Sequence, residues 1–198
     1  SDASRTPCSP GPSDGVEVSA EIIDNSAVAS AEIMYSVDGG AYQSTAMSIE
    51  DISEDIWAGT IPATGIEGAR VNYYISATDD GINQGEVETS TFPYDTDVSQ
   101  FGYVSKDGDL SIEDIQFTDW GSGDSPYDGC EVTVTGIVTA DTAQYNSGYG
   151  AYAIQSEASP WHGIVFDGWD DTELSKGDEV TITGTVEEYD AEWHFKYD

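Results

Sequence analysis

From Val16 onward, apolar and polar residues alternate in short runs. In "VEVSAEI" the residues Val16, Val18, Ala20 and Ile22 share one face, the period-two signature of a half-buried strand. "AEIMYSV", then "DGG", then "AYQSTAMS" predicts a hairpin, with glycines supplying the positive φ that a tight turn needs. "IWAGTIP", "ARVNYYISATDDG" and "EVETSTF" follow at regular spacing. Six or seven short strands with no convincing helix predict a β-sandwich over residues 14–93. The Pro-, Ser- and Gly-rich residues ahead of it, 1–13, read as a leader strand or linker.

Residues 94–111, within "PYDTDVSQFGYVSKDGDLS", are polar and turn-rich and read as a connector. A second module, residues 112–198, starts at Ile112. Its strands are "CEVTVTGIVTA", "GYGAYAIQS", "HGIVFDG", "DEVTITGTVEEY" and a short "EWHFKY", which suit a small five-stranded barrel. Gly136, Gly163 and Gly184 fall inside strands, where bulges and barrel corners tolerate them. The predicted fold class is therefore all-β, two modules in tandem.

The words "IEDIQF", "GDSPYDG", "VTVTGIVTA", "YAIQS", "GIVFDG" and "GDEVTITGTVEEY" occur in that order over residues 112–189. They resemble the OB-fold domain of secreted bacterial nucleases of the YhcR and exonuclease type. In that family the nuclease chemistry belongs to a separate domain, so the likeness implies a fold and not an activity. After "EEY" the family continues with Gly and Thr-Glu, whereas "DAEWHFKYD" stands here, which implies a short last strand. "SRTPCSPGPSDGVEVSAEIIDN", "YSVDGG" and "NYYISATDDG" resemble the Ig-like or fibronectin-III-like spacers of exported proteins from marine and Bacteroidetes-type bacteria. Together the two likenesses imply an Ig-like sandwich followed by an OB-like barrel, and a larger secreted or cell-surface parent whose other domains are the partners.

Charge narrows the function classes. Within 198 residues, 39 Asp and Glu face 5 Lys and Arg, a formal net charge of −34. Such a surface repels phosphate backbones and disfavours nucleic acid as a partner. It also opposes folding by self-repulsion, which salt or bound calcium relieves. A saline or calcium-rich setting is expected, with a merely solvated surface as the plain alternative. Aromatic residues at 11% argue for real cores rather than disorder. No stretch approaches the roughly 20 apolar residues that cross a membrane. Cys8 and Cys130 either pair in a disulfide or stay as separate thiols, and two cysteines alone cannot make a zinc site.

Four candidate chemistries remain. "GDSP", Gly123 to Pro126, superficially suggests a nucleophilic serine, but Pro126 removes a backbone donor beside it and a turn is the expectation. His162 and His194 each follow a tryptophan, and Asp167 or Glu192 would be their acidic partners in a metal site. In strands each histidine points away from its tryptophan, which predicts packed indoles and surface imidazoles. Calcium prefers closely spaced oxygens, so Asp95 with Asp97, Asp107 with Asp109 (followed by Glu113 and Asp114), and Asp167 with Asp170 and Asp171 are the metal candidates. Tyr149, Tyr152, Trp161, Trp169 and Trp193 are the ligand-contacting candidates. With so few cations beside them, a glycan fits better than nucleobases. No catalytic constellation emerges; the expected role is a non-catalytic spacer or interaction segment. The alternative is an accessory binding module of a secreted hydrolase.

Overall fold

The computed structural model describes residues 3–24, 27–51, 53–82, 85–140, 151–167 and 173–188. The chain is all-β, with its strands in three antiparallel sheets. It forms two compact units. The first holds Ser1–Gly108 and Trp120–Ser122, the second Asp109–Asp119 and Gly123–Asp198.

The first unit contains β1 (Ala3–Thr6), β2 (Val16–Glu21), β3 (Val28–Val37), β4 (Gln43–Ala46), β5 (Ser48–Asp51), β6 (Ile56–Ile61), β7 (Ala69–Asp79), β8 (Thr89–Phe92) and β9 (Phe101–Ser105). One sheet runs β1-β2-β6-β5; the other runs β4-β3-β7, with β8 and β9 both paired to β7. The alternation read from the sequence is realised: Val16, Val18 and Ala20 are buried on β2, and Ala69, Val71, Tyr73 and Ile75 on β7. These apolar faces meet. A Cβ added to Gly59 of β6 would stand 3.0 Å from Ile33 Cδ1 of β3 and 2.9 Å from the Ala46 carbonyl. Only a glycine lets the two sheets approach so closely there. The chain changes sheets at buried Met47, whose N–H donates to the Ala31 carbonyl.

The β3–β4 turn shows why "DGG" was a hairpin signal. Asp38 and Gly39 have φ of +49° and +68°, and Gly40 N–H donates to the Val37 carbonyl at 2.9 Å. That is the mirror-image turn whose twist matches a hairpin. The Asp38 carboxylate then accepts from Arg70 N–H, tying the turn to β7.

One expected boundary needs correction, while the leader takes the strand form of its two readings. The 1–13 leader contributes β1, paired with β2 from Ala3↔Ala20 to Thr6↔Glu17. The 94–111 connector contains β9, which pairs with β7 from Ala69↔Ser105 to Tyr73↔Phe101. Polar flanks on either side disguised β9.

The second unit opens on helix α1 (Ile112–Gln116), although strands alone were expected. Ser111 caps it: its Oγ accepts from Asp114 N–H while the Asp114 carboxylate accepts from Ser111 N–H, a complete capping box. The strands are β10 (Glu131–Ala140), β11 (Ala151–Gln155), β12 (Gly163–Asp167) and β13 (Glu179–Thr185), in the order β12-β11-β10-β13. Buried Val132, Val134 and Val138 line one face of β10, and hydroxyl pairs Thr133–Thr183 and Thr135–Thr181 line the other. A Cβ on Gly136 would meet Ile112 Cδ1 at 3.1 Å and Ile154 Cβ at 3.2 Å. The glycine is what lets α1 seat on the sheet. Gly184, by contrast, has nothing within 4 Å of such a Cβ. The expected fifth strand, "EWHFKY", lies outside the described residues.

Candidate functional site

Of the residues that drew attention in the sequence, Trp161, His162 and Glu113 come together at the turn between β11 and β12, beside α1. Ser156 N–H donates to the His162 carbonyl and closes the turn at 3.0 Å. Trp161 has φ of +69°, a left-handed conformation that a bulky side chain adopts only under strain. Its indole meets the Phe117 ring edge-on, with centroids 5.9 Å apart and planes at 80°. It nevertheless stays 43% exposed. His162 Nδ1 lies 3.2 Å from Ser156 Oγ, and Nε2 lies 3.8 Å from Glu113 Oε2.

This corrects the expected placement of Trp161 and His162. Neither lies within a strand, so strand alternation does not separate them; β12 begins one residue later, at Gly163. The histidine is half-buried rather than a free surface residue. Serine, imidazole and carboxylate stand in a row, but the imidazole nitrogen held by Ser156 belongs to a turn that the backbone also closes. At 3.8 Å, Glu113 is beyond hydrogen-bond reach and acts on the ring through charge when the ring is protonated.

The serine of "GDSP" is structural. Ser125 Oγ donates to the Ile115 carbonyl at 2.6 Å and accepts from Tyr127 N–H, while Ser125 N–H donates to the Glu188 carboxylate. The hydroxyl is buried and holds the end of α1 to the loop before β10.

Among the ligand-contacting candidates, Tyr152 is 8% exposed, stacked on Phe166 at 5.6 Å, and its hydroxyl accepts from Leu174 N–H. It is buried and packs on the sheet rather than standing exposed. Tyr149, Trp169, Trp193, Asp170, Asp171, Glu192 and His194 lie outside the described residues. Asp167 closes β12 opposite Ala151.

Several of the described carboxylates share one pattern. With few cations to pair with, they accept hydrogen bonds from backbone N–H groups in turns. Asp79, only 6% exposed, accepts from both Gly81 N–H and Glu88 N–H. Asp95 accepts from Asp97 N–H, Asp14 from Gly11 N–H and Asp178 from Ser175 N–H. Asp114, counted beside the Asp107–Asp109 candidate, is committed to its capping box. Asp95, Asp97, Asp107 and Asp109 are exposed. Among the described residues no group of three or more His, Cys, Asp or Glu is arranged to hold a metal ion. Both cysteines, Cys8 and Cys130, are disulfide-bonded.

One aromatic set in the first unit was missed. Tyr42 and Tyr74 lie with ring centroids 5.5 Å apart at 56°, and the Tyr42 hydroxyl donates to Gln100 Oε1 at 2.7 Å. The signal was present in "NYYIS": with Tyr73 on the core parity, Tyr74 must face outward.

No protein-family model matches the chain, and no curated protein matches it. No helix among the described residues is long and apolar enough to cross a membrane.

Proposed function

We propose that this chain is a non-catalytic interaction segment of a larger secreted or cell-surface bacterial protein, an Ig-like sandwich followed by an OB-like barrel. The observation that carries the reading is Trp161, a strained and half-exposed indole propped on Phe117 at a turn. Strain and exposure both oppose folding, so a tryptophan kept in that state fits a contact surface. The strand order supports the architecture. β1-β2-β6-β5 facing β4-β3-β7 is compatible with an Ig-like sandwich, and the β10–β12 meander with β13 beside β10 is compatible with an open OB-like barrel. Disulfide-bonded cysteines suit an oxidising, exported setting.

His162, Ser156 and Glu113 beside the indole favour a second reading, an accessory glycan-binding module of a secreted hydrolase, since sugar hydroxyls need such mixed donors and acceptors. Acidity makes calcium or salt a stabiliser in either case. Thermal melts with micromolar calcium against matched ionic strength separate a calcium site from screening. For the main reading, no turnover of DNA or glycans is expected with added calcium or magnesium; clear turnover overturns it. Trp161→Ala is expected to weaken capture of the partner without lowering the melting temperature.

A further inference from the structure

We propose that the outward face of the first unit around Tyr42, Tyr74 and Gln100 binds a neutral oligosaccharide. This goes beyond the reading above, which places its contact at Trp161 in the other unit.

The edge of the sheet is interrupted at this spot. β9 pairs with β7 as far as Tyr73↔Phe101, and β8 resumes the pairing at Ile75↔Phe92. Between them residues 93–100 leave the ladder, and the β7 residue skipped is Tyr74. Diverting an edge strand gives up ladder hydrogen bonds, and loops that do so on a rigid scaffold commonly carry function. The excursion is internally braced. Val98 and Ser99 N–H donate to the Asp95 carbonyl, Thr91 Oγ1 donates to the Tyr94 carbonyl, and Gln100 Nε2 donates to the Thr96 carbonyl.

Two ring faces tilted at 56° form an open aromatic corner, with Tyr42 41% exposed. Tyr94, on the same excursion, is 90% exposed. Gln100 is oriented from both ends. The Thr96 carbonyl can only accept, so the amide nitrogen faces it and the amide oxygen faces the Tyr42 hydroxyl. One amide N–H and one oxygen lone pair remain for a ligand.

The chemistry selects the ligand class. Ring faces suit the C–H face of a pyranose and the remaining amide groups suit its hydroxyls, while Asp95 and Asp97 on the same excursion are exposed acceptors. A net charge of −34 opposes an anionic chain. A purely apolar partner would leave the amide and carboxylates desolvated without hydrogen bonds. A neutral polyol satisfies all of these groups.

The test uses the chain with ¹³C-labelled tyrosine. The probes are uncharged hexasaccharides of glucose, xylose, mannose and N-acetylglucosamine, with oligolysine as the cationic comparison. At least one saccharide is expected to shift the Tyr42 and Tyr74 ring signals saturably. Tyr74→Ala and Gln100→Ala should weaken binding roughly tenfold or more, and Tyr42→Phe less. Trp161→Ala should leave the shifts of the Tyr42 and Tyr74 signals unchanged. An unaltered signal from buried Tyr73 verifies folding in Gln100→Ala and Tyr42→Phe. The proposal falls if no saccharide shifts these rings, if only oligolysine does, or if Trp161→Ala and not Tyr74→Ala removes the binding.

Discussion

The two units bury their sheets in different ways. In the first, a sheet covers a sheet, and the contact is spread over β2, β3, β6 and β7. In the second, the five-residue helix α1 lies against the sheet with Ile112 and Ile115 fully buried, and Gly136 gives Ile112 its room. So short a helix has almost no stability of its own, because nucleation is costly and few bonds follow it. It exists because its cap and its two isoleucines hold it. The lesson is one of local support: in the first unit strands of two sheets hold one another, whereas α1 is held by its cap and by two side chains seated on a sheet.

The sharpest way to break that comparison is truncation in each core. Ile112→Ala and Ile33→Ala each remove a fully buried branched side chain, and each should cost about 3 kcal/mol. The losses should be distributed differently. Hydrogen exchange should show α1 and neighbouring β10 and β12 losing protection together in Ile112→Ala, with the β3–β7 ladder keeping its protection in Ile33→Ala. Equal local losses in both variants would sink the idea that the second unit depends on one helix.

Adding volume tests the same contact from the other side. Gly136→Val should cost about 2 kcal/mol, since its Cβ already meets Ile112 and Ile154 inside ordinary contact distance. Gly184→Ala, on the neighbouring strand, meets nothing and should be neutral or stabilise by roughly 0.5 kcal/mol. Urea denaturation of the two variants measures the contrast, and similar values would mean that the close approach at Gly136 does not matter.

Much of the fold was legible. Period-two alternation located β2 and β7, and "DGG" located the β3–β4 turn. What escaped has physical reasons. β9 follows a polar excursion, and its pairing partner lies about thirty residues earlier, beyond any local pattern. α1 spans little more than one turn, too short for a 3.6-residue period to register, although Ser111 and Asp114 stand at capping-box spacing. The candidate site was half legible. Trp161 stands out in the sequence, but a left-handed tryptophan carries no sequence signal of the kind glycine gives, so strand parity does not reach it. Tyr152 reads as a ligand face because aromatic residues on a sheet serve packing and binding alike, and its contact with Phe166 has no sequence signal.

The cap itself offers a smaller effect. Ser111→Ala removes the acceptor for Asp114 N–H and should cost about 1 kcal/mol, read as a lowered denaturation midpoint with unchanged slope. Ser111→Asp should recover most of it, since a carboxylate also caps. If Ser111→Ala is silent, the isoleucine contacts alone hold the helix.

The smallest effects are those of pH, and they fall in the first unit at opposite ends of the scale. Burial pushes the Tyr73 hydroxyl above its ordinary value, with the Arg5 charge opposing it. A raised acid keeps its proton in the folded state after the unfolded chain has lost it. The stabilisation is therefore complete below about pH 10 and is lost as pH rises through the folded value. Stability measured across that range should fall more steeply in the wild-type chain than in Tyr73→Phe; parallel curves would mean that the hydroxyl is not buried as described. Asp51 behaves in the opposite sense. Hydrogen bonds from the Ser53 hydroxyl, and then from Ser53 N–H, lower its carboxyl below the usual range. Its contribution is present above the ordinary carboxylate value and disappears as pH falls through the lowered one. Asp51 is fully exposed, so water screens the effect, and any advantage over Asp51→Asn at neutral pH should be slight and vanish in acid. An advantage that grows on acidification would reverse the sign and remove Asp51 from the carboxylates that stabilise turns by accepting backbone hydrogen bonds.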